Sequence, residues 1–273
     1  MADVRGVYTA MNLEDEIQKQ RERKIYKSDL LINARYALSV PEQRLVLYAI
    51  SLIQKEDTAN TIYTIDLNTF RKVCGFTGDS YTKAKKLLKR LRDNSRWVMI
   101  EGEETTIAWF AKVKIVNGDS SVKVKFDEDM FPYLKDLLER YQETGQGYTS
   151  YIFQSVIPMK GKYSIHLYEM LKAKIKNESS LKWYYSIDEL KEILGCSNYK
   201  RYPDFRRKVI EPAIEDINKY SDIHVTYYTT EQRNISKLYF DIIRKNEEEI
   251  LQAHHDTLTA LDGKVHYWDI TGD

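Results

Sequence analysis

Two groups of cationic side chains are the residues of this chain best suited to act on another molecule. The first is Lys83, Lys85, Lys86, Lys89, Arg90 and Arg92, with Asp93 as the acid that interrupts the series. The second is Lys200, Arg201, Arg206, Arg207 and Lys208, followed at a distance by Arg233 and Lys237. Ammonium and guanidinium groups bind phosphate by charge, and an arginine can also donate two parallel hydrogen bonds to O6 and N7 of guanine. The chemistry on offer is therefore recognition of a polyanion, with sequence specificity available from the arginines.

On a helical wheel Ala84, Leu87, Leu88 and Leu91 share one face. Lys85, Lys89 and Arg92 flank it on one side and Lys83, Lys86 and Arg90 on the other. A solvated surface helix is the competing explanation. Such helices interleave Glu with Lys four residues apart, and this one does not. In the second group Glu211, Glu215 and Asp216 follow the bases, so only the start of that segment is expected to face an anion. A salt-bridged surface helix remains the alternative there. Pro212 cannot donate to the carbonyl of Lys208, which predicts a kink. The wheel leans Arg206 toward the apolar side and Arg207 away from it, making Arg207 the better candidate to read bases.

Enzymatic signatures of replication are missing from the sequence. Gly161-Lys162 has Val156 where a phosphate-binding loop needs its first glycine and Tyr163 where it needs a hydroxyl next to the lysine. The five histidines form no pair flanking a single apolar residue, and His254-His255 sits in a polar stretch. With 21 tyrosines some tyrosine always lies near some acid, so no tyrosine nucleophile can be inferred. The expectation is a binding protein rather than an enzyme, with no cofactor and no metal. Cys74 and Cys196 each lie beside a glycine at an expected helix end and read as buried small hydrophobes. Two distant cysteines also suit a reducing cytoplasm, and no apolar run approaches the roughly 20 residues that cross a bilayer.

The elements that must carry the two basic groups are legible through an internal repeat. Leu47-Tyr48-Ala49-Ile50 is echoed by Leu167-Tyr168-Glu169-Met170, and Tyr63-Thr64-Ile65-Asp66 by Tyr185-Ser186-Ile187-Asp188. Phe70-x-x-Val73-Cys74-Gly75 is echoed by Leu190-x-x-Ile193-Leu194-Gly195, and Ser95-x-Trp97-x-Met99 by Ser221-x-Ile223-x-Val225. Four echoes in one order predict two copies of one architecture. Pro41 opens a helix with Leu45, Tyr48, Ala49, Leu52 and Ile53 as its stripe. Thr61 to Ile65 follows as a strand. Asp66 caps a short helix that Gly75 stops, and Ser80 caps a third helix running to about Asn94. Arg96–Glu101 and Thr106–Val116 then form a hairpin. The second copy has Tyr163–Lys176, Trp183–Ile187, Asp188–Leu194, Pro203–Tyr220, Ile223–Thr230 and Ile235–Arg244 in the same order. Tyr48 and Tyr168 are expected in the core rather than as base-stacking platforms.

Helix, strand, helix, helix and hairpin is the order of a winged helix-turn-helix, so the fold class is α+β with two such domains in tandem. The basic groups fall on the third helix of each copy, the element with which a winged helix reads DNA. The expected domains are a charged arm over 1–27, a first domain over 28–147, a second over 148–245 and an acidic tail over 246–273. Asp129–Tyr141 is expected as a connecting helix and Glu143–Gly147 as a linker. From Asn246 onward seven acids face the single base Lys264, so that stretch carries −6; with +1 overall, residues 1–245 carry +7.

Three stretches resemble the iteron-binding plasmid replication initiators. They are Lys27-Ser28-Asp29-Leu30-Leu31 running into Leu38-Ser39-x-x-Glu42-Gln43-Arg44-Leu45, then Lys162-Tyr163-Ser164-Ile165-x-Leu167-Tyr168-Glu169-x-Leu171, then Phe205-Arg206-Arg207-x-Val209-Ile210-x-Pro212-Ala213-x-x-x-Ile217-Asn218. The resemblance covers about Lys27 to Arg244. It implies double-stranded DNA carrying directly repeated origin sequences as the partner, bound by monomers that help open the origin. It further implies dimers that repress the initiator's own transcription, a dimer interface in the first domain, and host partners of the helicase and initiator type. No membrane partner is expected, since no apolar run is long enough to cross a bilayer. A nicking initiator and a plain transcriptional repressor stay open as alternatives.

Overall fold

A computed structural model describes residues 14–35, 38–76, 80–93, 96–100, 103–115, 120–230 and 235–262. The chain opens with helix α1 (14–21), strand β1 (Lys24–Ser28) and the short α2 (Asp29–Ile32). Helix α3 (Val40–Ile50) starts where Ser39 donates its backbone N–H to Glu42 Oε2 at 2.8 Å, with Pro41 in the first turn. Strand β2 (Tyr63–Asp66) leads into α4 (Leu67–Val73), whose N-cap Asp66 accepts from the Thr69 amide at 2.7 Å. Gly75, at φ +68°, stops that helix. Helix α5 (Ser80–Asp93) is followed by hairpin β3 (Arg96–Ile100) and β4 (Glu103–Ile107), then by β5 (Phe110–Ile115) and β6 (Ser121–Phe126). Strand β6 lies between β2 and β5 in a three-stranded antiparallel sheet.

After a 3-10 turn at Phe131–Tyr133, α6 (Leu137–Thr144) and β7 (Tyr148–Ile152), the second copy begins. It comprises α7 (Ser164–Ile175), β8 (Ser180–Ser186), α8 (Ile187–Ile193), α9 (Tyr202–Phe205), a π-turn over Arg206–Ile210, α10 (Glu211–Tyr220), β9 (Ile223–Tyr228) and β10 (Lys237–Arg244). Its sheet runs β8-β10-β9, again with the last strand in the centre. Ser186 caps α8 by accepting from the Glu189 amide at 3.1 Å, and Gly195 (φ +62°) closes it. Both copies are thus winged helices, as the repeat predicts.

Four details differ from the sequence reading. The counterpart of β9 is β5, not β3, because β5 and β9 hold the same place beside the central strand; the β3–β4 hairpin is an addition to the first copy. The expected helix at 129–141 is broken into the 3-10 turn and α6, with Asp136 between them in the left-handed region at φ 54°. The expected linker closes a sheet instead: Gly145 caps α6, Gly147 accepts from the Asp29 amide at 2.9 Å, and β7 pairs antiparallel with β1. The acidic stretch is not all tail. Residues Glu247–Asp262 form α11, opened by reciprocal bonds between Asn246 and Glu249 and packed on α10 and on the turn at Phe153–Ser155, with Ala253, Thr257 and Leu261 buried and Leu261 seated against Gly75. A stripe of Ala, Thr and Leu, with Ile250 and Leu251 turned outward, carries too little apolar signal to stand out in a sequence.

One core runs through both copies because their first helices share it. Leu31, Ile32 and Ala34 are fully buried and α2 packs on α7, so the hydrophobicity of that opening segment is used inside the chain. Arg21 of the amino-terminal arm donates to the carbonyls of Lys72 and Val73, both at 3.0 Å, capping the end of α4. Tyr48 packs edge-on against Phe70, and the Tyr168 hydroxyl donates to Asp222 at 2.9 Å, both within the core as expected. Burial pushes the thiols of Cys74 and Cys196 up to about 12, in keeping with small hydrophobes.

The shared core contains a titratable group. His166 of α7 is buried and its Nε2 lies 2.8 Å from the Ile32 carbonyl, while burial lowers its pKa to about 4. A histidine depressed from its ordinary 6.5 leaves stability intact above pH 6.5, and stability falls as pH drops from there toward 4, because only the unfolded chain takes the proton easily. By pH 5 the loss from this group is expected to reach about 2 kcal/mol. Urea midpoints at pH 7 and pH 5 for the wild type and His166→Gln test this: the pH difference should shrink in the variant.

Candidate nucleic-acid interface

Helix α5 stands on its leucines. Ala84, Leu87, Leu88 and Leu91 are buried, which leaves Lys83, Lys86, Lys89, Arg90 and Arg92 exposed and Lys85 half-buried at the edge. The predicted split into an apolar face with two basic flanks therefore holds. Arg90 has a second engagement: its Nε lies 3.4 Å from Oε1 of Glu42, a carboxylate only 2% exposed that also caps α3. That contact ties α5 to the start of α3 and takes part of Arg90 away from an incoming anion.

The second cluster gathers at the opening of the α9–α10 segment. Pro203 sits in the first turn of α9, and Lys200, Arg201, Arg206, Arg207 and Lys208 are all exposed. Asp204 organises two of them, lying 3.3 Å from Arg207 Nη2 and 4.0 Å from Arg201 Nε. Glu211 Oε1 holds Arg206 Nε at 3.2 Å and accepts from the Tyr227 hydroxyl at 3.4 Å, while Lys208 Nζ sits 5.8 Å from the centre of the Tyr199 ring. Arg207 and Arg201 keep 69% and 78% of their side chains in solvent. Surface pairs of this kind contribute at most about 1 kcal/mol, so exchanging Asp204 for a phosphate or a guanine costs little.

Two expectations are corrected by this geometry. Arg206 does not lean on the core; its side chain is 50% exposed and Phe205 is buried in its place. The feature at Pro212 is a widened turn rather than a simple kink, with the Glu211 amide donating to the Arg206 carbonyl five residues back. Of the hairpin residues, Arg233 lies outside the described residues. Lys237 is half-buried on β10 with its Nζ 4.6 Å from the centre of the Tyr184 ring.

The acids that orient the arginines, Asp204 and Glu211, were not singled out in the sequence, although i,i+3 spacing from Asp204 to Arg207 carries that signal. Also unsignalled was a row of tyrosines across the second sheet, Tyr184, Tyr239 and Tyr228, which face solvent side by side in register. Among the described residues no group of three or more His, Cys, Asp and Glu side chains could hold a metal ion, and no helix is long and apolar enough to cross a membrane.

Comparison with known proteins adds an independent line. The family model for "Initiator Replication protein, WH1" matches residues 24–172, and that for "Initiator Rep protein, WH2" matches residues 186–242. A curated relative, the PI protein of Escherichia coli, is 29% identical over 142 residues, which make up 46% of this chain and 45% of that protein. The aligned region thus spans about half the length of the relative.

Proposed function

From the premise that the chain belongs to the initiator replication protein family, on matches to both of its winged-helix models, we propose that it is a plasmid replication initiator that recognises directly repeated origin sequences in duplex DNA. The observation that carries this reading is the exposed arginine cluster at the opening of α9–α10, where a winged helix enters a major groove. Arg206 and Arg207 read bases; Lys200, Arg201 and Lys208 hold the flanking phosphates. Helix α5 lies against the backbone of a neighbouring stretch through Lys83, Lys85, Lys86, Lys89, Arg90 and Arg92, and the second hairpin adds Arg233 and Lys237. Binding by monomers opens the origin and brings in the host helicase and initiator, and dimers repress the initiator's own gene. The work is supplied by binding energy, with no covalent step. A basic 1–245 region and an acidic C-terminal stretch are consistent with a polyanionic partner on the first and not the second.

The test is binding to directly repeated segments of roughly two helical turns found beside the coding sequence, against scrambled duplex, over a salt series. Lys85→Ala and Lys89→Ala are expected to weaken both duplexes alike and to flatten the salt dependence by roughly one unit of slope per lost phosphate contact. Variants that lose discrimination but keep the salt slope would remove α5 from the phosphate-binding role.

A further inference from the structure

The buried positions of α10 are Ala213, Ile214, Ile217 and Tyr220, and Ile210, buried beside Val209 at the end of the preceding turn, continues their spacing of three and four. Carried back one turn along an uninterrupted α-helix, that stripe falls on position 206. Yet Arg206 is half in solvent and Phe205, one residue earlier, is fully buried. The register has slipped by one residue, about 100° around the helix. The slip is located in the π-turn over Arg206–Ile210, where the Glu211 amide reaches back to the Arg206 carbonyl.

Pro212 accounts for the place of the slip. It has no N–H to give the Lys208 carbonyl, and its ring would collide with that carbonyl in a regular turn, so the turn that meets it is widened. The consequence is chemical: an arginine that a straight helix would press into the core is turned out beside Arg207. Once out, its guanidinium is held by Glu211, which the Tyr227 hydroxyl of β9 holds in turn.

We infer that this widened turn, set by Pro212, is the device that presents Arg206 and Arg207 together to DNA, and that Pro212 is a positioning residue for sequence discrimination. The inference rests on the duplex-recognition reading above. It also assigns Glu211 the task of orienting Arg206 rather than contacting DNA.

The experiment uses the full-length protein and competition between the direct-repeat duplex and scrambled duplex. Pro212→Ala restores an amide for the Lys208 carbonyl and lets the turn tighten, which carries position 206 back toward the core. It should lower the specific-to-scrambled ratio by about tenfold, the worth of a bidentate base contact, without lowering Tm, since alanine is the better helix former. Deleting Lys208 from that variant puts Phe205 four residues before Ile210, back on the buried stripe of a regular helix, and should return most of the lost ratio. Pro212→Gln is read the same way. A folded Pro212→Ala that discriminates like the wild type overturns the inference, and so does a folded deletion that returns none of the lost ratio. A wild type that itself prefers neither duplex refutes the duplex-recognition reading, and the inference with it.

Discussion

Arg207→Ala is expected to lower affinity for the direct-repeat duplex by roughly tenfold to a hundredfold while leaving scrambled duplex much less affected. The magnitude is that of one bidentate arginine–guanine contact, about 1–3 kcal/mol. The side chain is 69% exposed and its partner in the free protein, Asp204, is 3.3 Å from Nη2, three residues back. Losing that pair costs the fold at most about 1 kcal/mol, so the variant should unfold at nearly the wild-type temperature. Removing the arginine also leaves Asp204 facing the DNA with its charge less compensated, which adds to the loss on every duplex. Competition binding separates the two contributions. An unchanged specific-to-scrambled ratio would assign Arg207 to phosphate and leave Arg206 as the base reader.

The largest effect on stability is expected at Lys27. Its ammonium lies 2.7 Å from Glu169 Oε2, both side chains are 2% exposed, and the other carboxylate oxygen accepts from the Tyr151 hydroxyl. The three residues come from β1, α7 and β7, so the pair sits where the two copies meet. Lys27→Met keeps the stem but leaves the carboxylate buried without its cation, a change that typically costs 3–5 kcal/mol. Lys27→Met combined with Glu169→Gln should recover part of that loss, because the neutral amide needs no cation and its oxygen still accepts from the Tyr151 hydroxyl. Urea midpoints of the two singles and the double decide it. A single variant within about 1 kcal/mol of wild type would mean that water reaches the pair.

Most of what local spacing carries was legible in the sequence, the i,i+3 pair of Asp204 and Arg207 being the exception. The capping residue Asp66 accepts from the amide three residues on, Gly75 and Gly195 occupy positive φ, and the leucines of α5 fall every three or four positions. The basic flanks of α5 follow from the same periodicity, and the repeat of these signals was enough to set two winged helices in tandem. Such features depend on a few neighbouring residues, and the chain order alone supplies those.

What the tertiary structure decided lies between distant residues or at a break in periodicity. No spacing rule pairs Lys27 with Glu169, joins β1 to β7, or lays the weakly apolar stripe of α11 along α10. No local rule ranks β5 over β3 as the strand beside β6, because both read as equally good strands and only the shared partner distinguishes them. Arg206 shows the limit most clearly. A wheel assumes 3.6 residues per turn throughout, and one extra residue in the turn before Pro212 rotates everything upstream of it. The sequence by itself determined which residues are basic and which helices carry them. Only the folded chain decided which way those side chains point, because direction is inherited from the whole helix and the core on which it is seated.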